Sequence, residues 1–263
     1  MKFSIITVVK NDNENIERTI KSVLSQKNKN FEYIICDGNS TDGTTSIINK
    51  YKKFSKIKIF KKKDKNLYEA INNGIKKAKG NYIFLIHSGD IFASRHVLQY
   101  MDKKIKHQDI ITSNIQFYNK KNIKRNWNYK VDNLNSTNIF KIAHTSTFIR
   151  KKLLLKKKLY NTSYSIASDT DFFLKLSKDN LLHTHIKYLS IYMLTGGLSG
   201  NKVYLLKKIK EDLNIYYENY RIFFLYHYLK KIMYKLLKLI FQNKVNSKKL
   251  IMELNRLNEF KKN

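Results

Sequence analysis

The chain opens on a run rich in apolar and β-branched residues, Phe3 to Val9, then alternates short apolar runs with amphipathic stretches. Such near-continuous apolar runs predict strands buried on both faces. The pattern recurs at Phe31–Cys36, Lys56–Phe60 and Tyr82–Ile86. Between the first two runs, Ile16, Ile20, Val23 and Leu24 fall at helical spacing behind the capping triplet Asn11-Asp12-Asn13. A polar loop from Asp37 to Thr44 leads into a helix that reaches Tyr51. Ile71, Ile75 and Ala78 mark a helix over Tyr68–Lys79, with Gly80 in the position that ends it. The order βαβαβαβ implies an α/β fold, with a central, mostly parallel sheet flanked by helices.

Ligands of such sheets bind outside the carboxyl ends of the strands. Thr7 falls near the end of the first strand, Asp37 just past the second and Asp90 just past the fourth. That coincidence needs only the strand pattern.

The second half is less regular. Strands are predicted over 109–114 and 114–118, then a hairpin at Lys120-Lys121-Asn122 leading into 123–129. A further strand is expected over His144–Ile149, and Ala167-Ser168-Asp169-Thr170-Asp171 opens a helix over Phe172–Leu176. A last strand is expected near Ile186–Met193, followed by the glycine cluster Gly196-Gly197-Leu198-Ser199-Gly200. From Val203 the chain reads helical, with Leu225, Leu229, Ile232, Leu236, Leu237 and Ile240 on one face and Lys231, Lys235 and Lys238 on the other. This basic amphipathic pattern over 222–241 fits a helix lying on an anionic membrane surface. It fits equally a helix packing its apolar face on the domain or on a second copy in a homo-oligomer. The expected organisation is a domain over 1–202, with a nucleotide-binding half to about 115 and an acceptor half from 116. A helical extension covers 203–263.

Composition narrows the class. The formal charge is +32, carried by 46 lysines and only six arginines. Anionic partners follow: phosphorylated substrates, an anionic lipid surface or nucleic acid. Nucleic acid is disfavoured, because planar readout of bases and phosphates uses arginine forks, and the strand-end positions here carry aspartates. The lone Cys36 excludes an internal disulfide and a thiolate metal cluster. No apolar stretch approaches the ~18 residues of a spanning helix, and the apolar N-terminus is too short for a signal peptide. The expectation is a cytoplasmic protein, placed peripherally on the inner face of the cell membrane if the basic helix binds lipid. Proline is absent, and the eight glycines cluster beside polar and acidic residues, most of them at the predicted strand ends.

Four ordered motifs carry the chemistry: IITVVKN, CDGNSTDGT, KNLYEAINNGIKKAKGNYIFLIHSGD and ASDTDF. Together they resemble the family 2 glycosyltransferases of GT-A (Rossmann-like) fold, notably the bacterial enzymes of cell-envelope polysaccharide and lipopolysaccharide synthesis. The resemblance spans roughly residues 3–200. It implies an inverting transfer of a sugar from a nucleotide-sugar donor, UDP-linked, to a saccharide or lipid-linked saccharide acceptor. A divalent cation, Mn²⁺ or Mg²⁺, would neutralise the leaving diphosphate. By this resemblance Asp90 is the metal ligand, with Ser88 and Gly89 beside it. The family often has two aspartates here, whereas Ser88-Gly89-Asp90 keeps only the last. Thr7, Asp37 and Asp64 match positions near the base or ribose, and His144 in HTSTF matches a position close to the diphosphate or acceptor. Asp169 matches the general base, with Asp171 the runner-up. His87, His183 and His185 take no role. Gly196-Gly197-Leu198-Ser199 resembles a loop that closes over the ligands. Plain helix caps remain the alternative for Asp90 and Asp169. A catalytically inactive relative that docks on membrane, and a basic nucleic-acid-binding protein, are the alternatives for the whole chain.

Overall fold

The computed structural model describes residues 1–129, 131, 134–135, 138–197, 202–240 and 246–260. The first half follows the predicted order: β1 (Phe3–Val9), α1 (Ile16–Leu24), β2 (Phe31–Asp37), α2 (Thr44–Asn49), β3 (Ile57–Lys61), α3 (Leu67–Lys77) and β4 (Tyr82–Leu85). Each residue of β1 and β2 is buried, as a strand covered on both faces requires. The second half adds β5 (Ile91–Phe92), α4 (Val97–Lys104), β6 (Ile110–Asn119), β7 (Asn122–Trp127), β8 (Thr147–Arg150), α5 (Lys151–Lys156), α6 (Ser168–Leu176) and β9 (His183–Leu194). Helices α7 (Leu205–Tyr220), α8 (Phe224–Ile240) and α9 (Lys248–Asn258) complete it.

Among the described residues the strands form one sheet in the order β3-β2-β1-β4-β8-β6-β9-β5, with β7 paired to β6. The β3-β2-β1-β4 half is parallel throughout. Beyond it β8 runs antiparallel to both β4 and β6, while β6 and β9 run parallel. Apolar clusters cover both faces. One gathers Ile5, Val9, Ile20, Met101 and Phe148 under α1 and α4. The other gathers Ile6, Ile71, Ile75, Phe172 and Tyr216 under α3, α6 and α7.

Several local expectations change. Residues 110–119 form one continuous strand rather than two, and the turn after it places Lys120 at a φ of 53°. His144 lies in a tight helical turn ahead of β8, not within a strand. Asp90 caps no helix, because Ile91 and Phe92 pair with β9 as a short strand. Asp169 sits inside the first turn of α6, whose cap position is Ala167. Gly80 acts through close approach: a Cβ there would lie 2.5 Å from the Phe3 carbonyl carbon. The helix before it ends earlier, with Ala78 extended.

The largest change concerns α8. Its lysine face turns inward, with Lys231 only 3% exposed, while Leu225, Leu229, Leu236, Leu237 and Ile240 are exposed. A buried partner on α7 decides this. Lys231 Nζ donates to Asp212 Oδ1 at 2.7 Å, and Lys208 pairs with the other carboxylate oxygen at 2.9 Å. An ammonium enters such a site only when a charge meets it there.

Candidate active site

A cavity of about 360 Å³ opens at the carboxyl ends of β1, β2 and β4. That volume lies within the range of small-molecule sites. Asp64, Ser88, Asp90, His144 and Asp169 line it, along with Gly38 and Tyr68. Four stretches far apart in sequence therefore converge, as the strand-end rule requires.

Asp169 enters from the first turn of α6. Its Oδ1 accepts from the Tyr68 hydroxyl at 3.1 Å, and its Oδ2 from His144 Nδ1 at 3.1 Å. The carboxylate only accepts, so His144 Nδ1 carries the proton. Burial raises the Asp169 pKa, but the hydrogen bond and charge of His144 outweigh it. With Lys208 and Lys231 behind them, they hold the carboxyl well below the usual range. The other ring nitrogen of His144 meets His87 Nε2 at 2.8 Å. Burial, then the neighbouring His144, pushes His87 down to about 3, so His87 is neutral. A hydrogen-bonded line thus runs from the end of β4 to Asp169.

The segment ahead of α6 is fixed from α7. Glu211 accepts from the backbone N–H groups of Ser165, Ile166 and Ala167 at 2.9 to 3.0 Å. A carboxylate at the start of a helix satisfies orphan donors and meets the favourable end of the helix dipole. Burial raises its pKa, and the three N–H bonds more than reverse that.

Asp90 lines the same cavity. Gly89 takes a φ of 90°, and an added Cβ would lie 2.5 Å from Leu194 Cδ2. Only glycine turns the chain there without strain. Thr19 Oγ1 accepts from Gly89 N–H at 2.9 Å and donates to the Asp90 carbonyl at 2.8 Å. The Asp90 carboxylate accepts from Leu194 N–H at 2.9 Å, and from His87 N–H only at 3.4 Å. Burial pushes its pKa up to about 7. Next to it the buried Ser88 Oγ has no hydrogen-bond partner.

Asp64 also faces the cavity, accepting from Asn73 Nδ2 at 2.7 Å. Thr7 and Asp37 do not line it. Thr7 bonds the Tyr33 hydroxyl at 2.9 Å within the opposite layer. Asp37 spends its carboxylate on Ser40 N–H, Ser40 Oγ and Thr45 Oγ1, shaping the loop that presents Gly38. Asp171 is 1% exposed and pairs with Lys175 at 2.7 Å, outside the cavity. His183 and His185 both meet Thr112 Oγ1 at 3.0 Å and serve the β6–β9 pair. Of the predicted closing loop, Gly197 borders the cavity, and 198–200 lie outside the described residues. Motif reading missed Tyr68, His87 and Glu211. The first two sit inside quoted motifs. Glu211 carried no signal beyond being an acid in a lysine-rich helix.

Sheet order and cavity position define a GT-A type α/β fold. Residues 4–210 match the glycosyl transferase family 2, and the chain belongs to that family. It is 30% identical over 218 residues to the poly(ribitol-phosphate) beta-N-acetylglucosaminyltransferase TarP of Staphylococcus aureus (strain N315), covering 76% of this chain and 67% of TarP. It is 42% identical over 94 residues to the UDP-Glc:alpha-D-GlcNAc-diphosphoundecaprenol beta-1,3-glucosyltransferase WfaP of Escherichia coli, covering 36% of this chain and 38% of WfaP. Among solved structures, S. aureus TarS 1–349 in complex with UDP-GlcNAc matches with a TM-score of 0.70 at 21% identity. It covers 83% of this chain and 66% of that one.

Proposed function

We propose that this chain transfers a sugar from a UDP-linked donor to a saccharide acceptor, free or lipid-linked, with inversion at the anomeric carbon. The transfer serves cell-envelope glycan synthesis on the cytoplasmic side. One observation carries the reading: Asp169, held ionised by His144 and accepting from the Tyr68 hydroxyl, lines the same cavity as Asp90. Family membership and the names of the relatives support it.

Asp169 is the general base. Its low pKa keeps it deprotonated at neutral pH, so it takes the acceptor proton only as the attacking oxygen bonds to carbon and turns acidic. Tyr68 and His144 fix the carboxylate, and Glu211 fixes the turn that bears it. Asp64 and the Gly38 loop face the nucleotide; Thr7 and Asp37 hold the backbone beneath it. The site residues fit a divalent cation. Asp90 keeps an oxygen with only a 3.4 Å contact, and Ser88 Oγ is buried and unpaired. Among the described residues no three His, Cys, Asp or Glu side chains group as ligands. Donor phosphate oxygens and water would therefore complete the shell, as is usual for Mg²⁺. When bound, the cation neutralises charge on the departing diphosphate.

Asp90→Ala and Asp169→Ala are expected to lose on the order of 10²-fold or more in transfer, read as donor-dependent nucleoside diphosphate release, with unchanged circular dichroism. Full activity in a folded Asp169→Ala protein would remove the base assignment. Release by neither the wild type nor the variants would favour the inactive, docking relative.

A further inference from the structure

We infer that the outer face of α8 is a docking surface for an anionic phospholipid bilayer. The helix packs with its polar and aromatic side inward: Lys231 enters the Asp212 site, and the Tyr234 ring centroid lies 5.9 Å from that of Trp127. What remains outside is apolar. Ile222 and Phe223 in the preceding turn are 90% and 68% exposed, and Leu229, Met233, Leu236 and Ile240 continue them. On the helix itself the exposed Leu225, Leu229, Met233, Leu236 and Ile240 recur every three or four residues, so they form one stripe about 22 Å long. A stripe of this extent is costly to leave in water.

Charge selects the occupant. Helix α8 contains no aspartate or glutamate, and of its four lysines Lys231 is buried on the inner face while Lys230 is exposed. Lys230 beside the stripe, and Lys207 and Lys210 on α7, are exposed. A second copy of the chain would bring the same cations, and a formal +32, against this face. An anionic bilayer neutralises them and takes up the apolar side chains at the headgroup boundary. No helix among the described residues is long and apolar enough to cross a membrane, so α8 lies in the surface.

The inner face of the same helix reaches the site. Lys231 Nζ lies 3.5 Å from Thr170 Oγ1, next to Asp169. One helix therefore touches lipid outside and the base-bearing helix inside. Resting on the transferase reading, this places acceptor delivery at the bilayer and favours a lipid-linked acceptor.

The test is flotation of the full chain with vesicles of pure phosphatidylcholine and of an equimolar mixture with phosphatidylglycerol. Binding is expected to the anionic vesicles alone. In Leu229→Ser/Met233→Ser/Leu236→Ser, three exposed changes, it falls roughly a hundredfold with circular dichroism unchanged. Equal binding by that variant, or no binding by the wild type, overturns the proposal. So does a concentration-dependent dimer in light scattering that the variant abolishes, since a second copy then covers the face. Thermal shift with UDP-sugars is independent: vesicle binding without any sugar-induced shift keeps the docking surface and removes the transferase reading.

Discussion

As the proposed general base, Asp169 must satisfy two opposed demands, staying ionised in a cavity and still accepting a proton. Its neighbours set the balance. Burial favours the neutral acid, and His144 with Lys208 and Lys231 behind it reverses that. Removing His144 shifts the balance back. In His144→Ala the Asp169 pKa rises, so the acid limb of kcat/KM that belongs to the base moves to higher pH than in the wild type. A pH–rate profile of the two proteins checks this, and an unmoved limb would show that His144 does not tune the base. Single residues also show where motif reading stops. Asp90 was legible because it follows the apolar run of β4, and Asp169 because the motif ASDTDF opens the helix over Phe172–Leu176. Thr7 and Asp37 matched the pattern equally well, yet their side chains serve Tyr33 and the Ser40 loop. Which face a side chain takes near a strand end depends on partners far along the chain.

At the scale of elements, β1, β2 and β4 were readable because burial on both faces leaves a near-continuous apolar run, and the part-buried β3 because apolar residues flank Lys58. Strand β5 was not, since two residues carry no period. The facing of α8 was not either, because its apolar stripe fits a membrane surface and packing on the domain equally. Asp212 on α7 draws Lys231 inward and turns the stripe out. Helix α7 belongs to the site for the same kind of reason, through Glu211. Glu211→Gln keeps the shape but loses the charge in bonds to three N–H groups, a cost of about 1–3 kcal/mol. The sign of its pH dependence follows from a depressed pKa: the stabilisation is present above the ordinary value of 4.5 and disappears as pH falls through the lower folded value. Urea unfolding should therefore separate wild type from Glu211→Gln at pH 7 and bring them together in acid. A gap that persists in acid would contradict this role.

At the scale of the molecule, a formal +32 faces a donor carrying a diphosphate. Attraction of that kind speeds encounter more than chemistry, and salt screens it. The kcat/KM for the donor should fall with added potassium chloride while kcat holds, and equal falls in both would place the charge effect in the chemical step. On the proposals above, the charge and the bare face of α8 fit an anionic ligand in the cavity and an anionic surface beside it.

The central claim is that the Asp90–Asp169 cavity holds a nucleotide sugar. Thermal unfolding of the wild type, Asp90→Ala and Asp169→Asn across a panel of nucleotide sugars, with and without Mn²⁺, tests it directly. One UDP-sugar should raise the wild-type Tm, by about 2–3 kcal/mol of stabilisation at a hundredfold excess over Kd. The gain should need Mn²⁺, vanish in Asp90→Ala and persist in Asp169→Asn. No shift with any nucleotide sugar, or an equal shift in Asp90→Ala, would contradict the account.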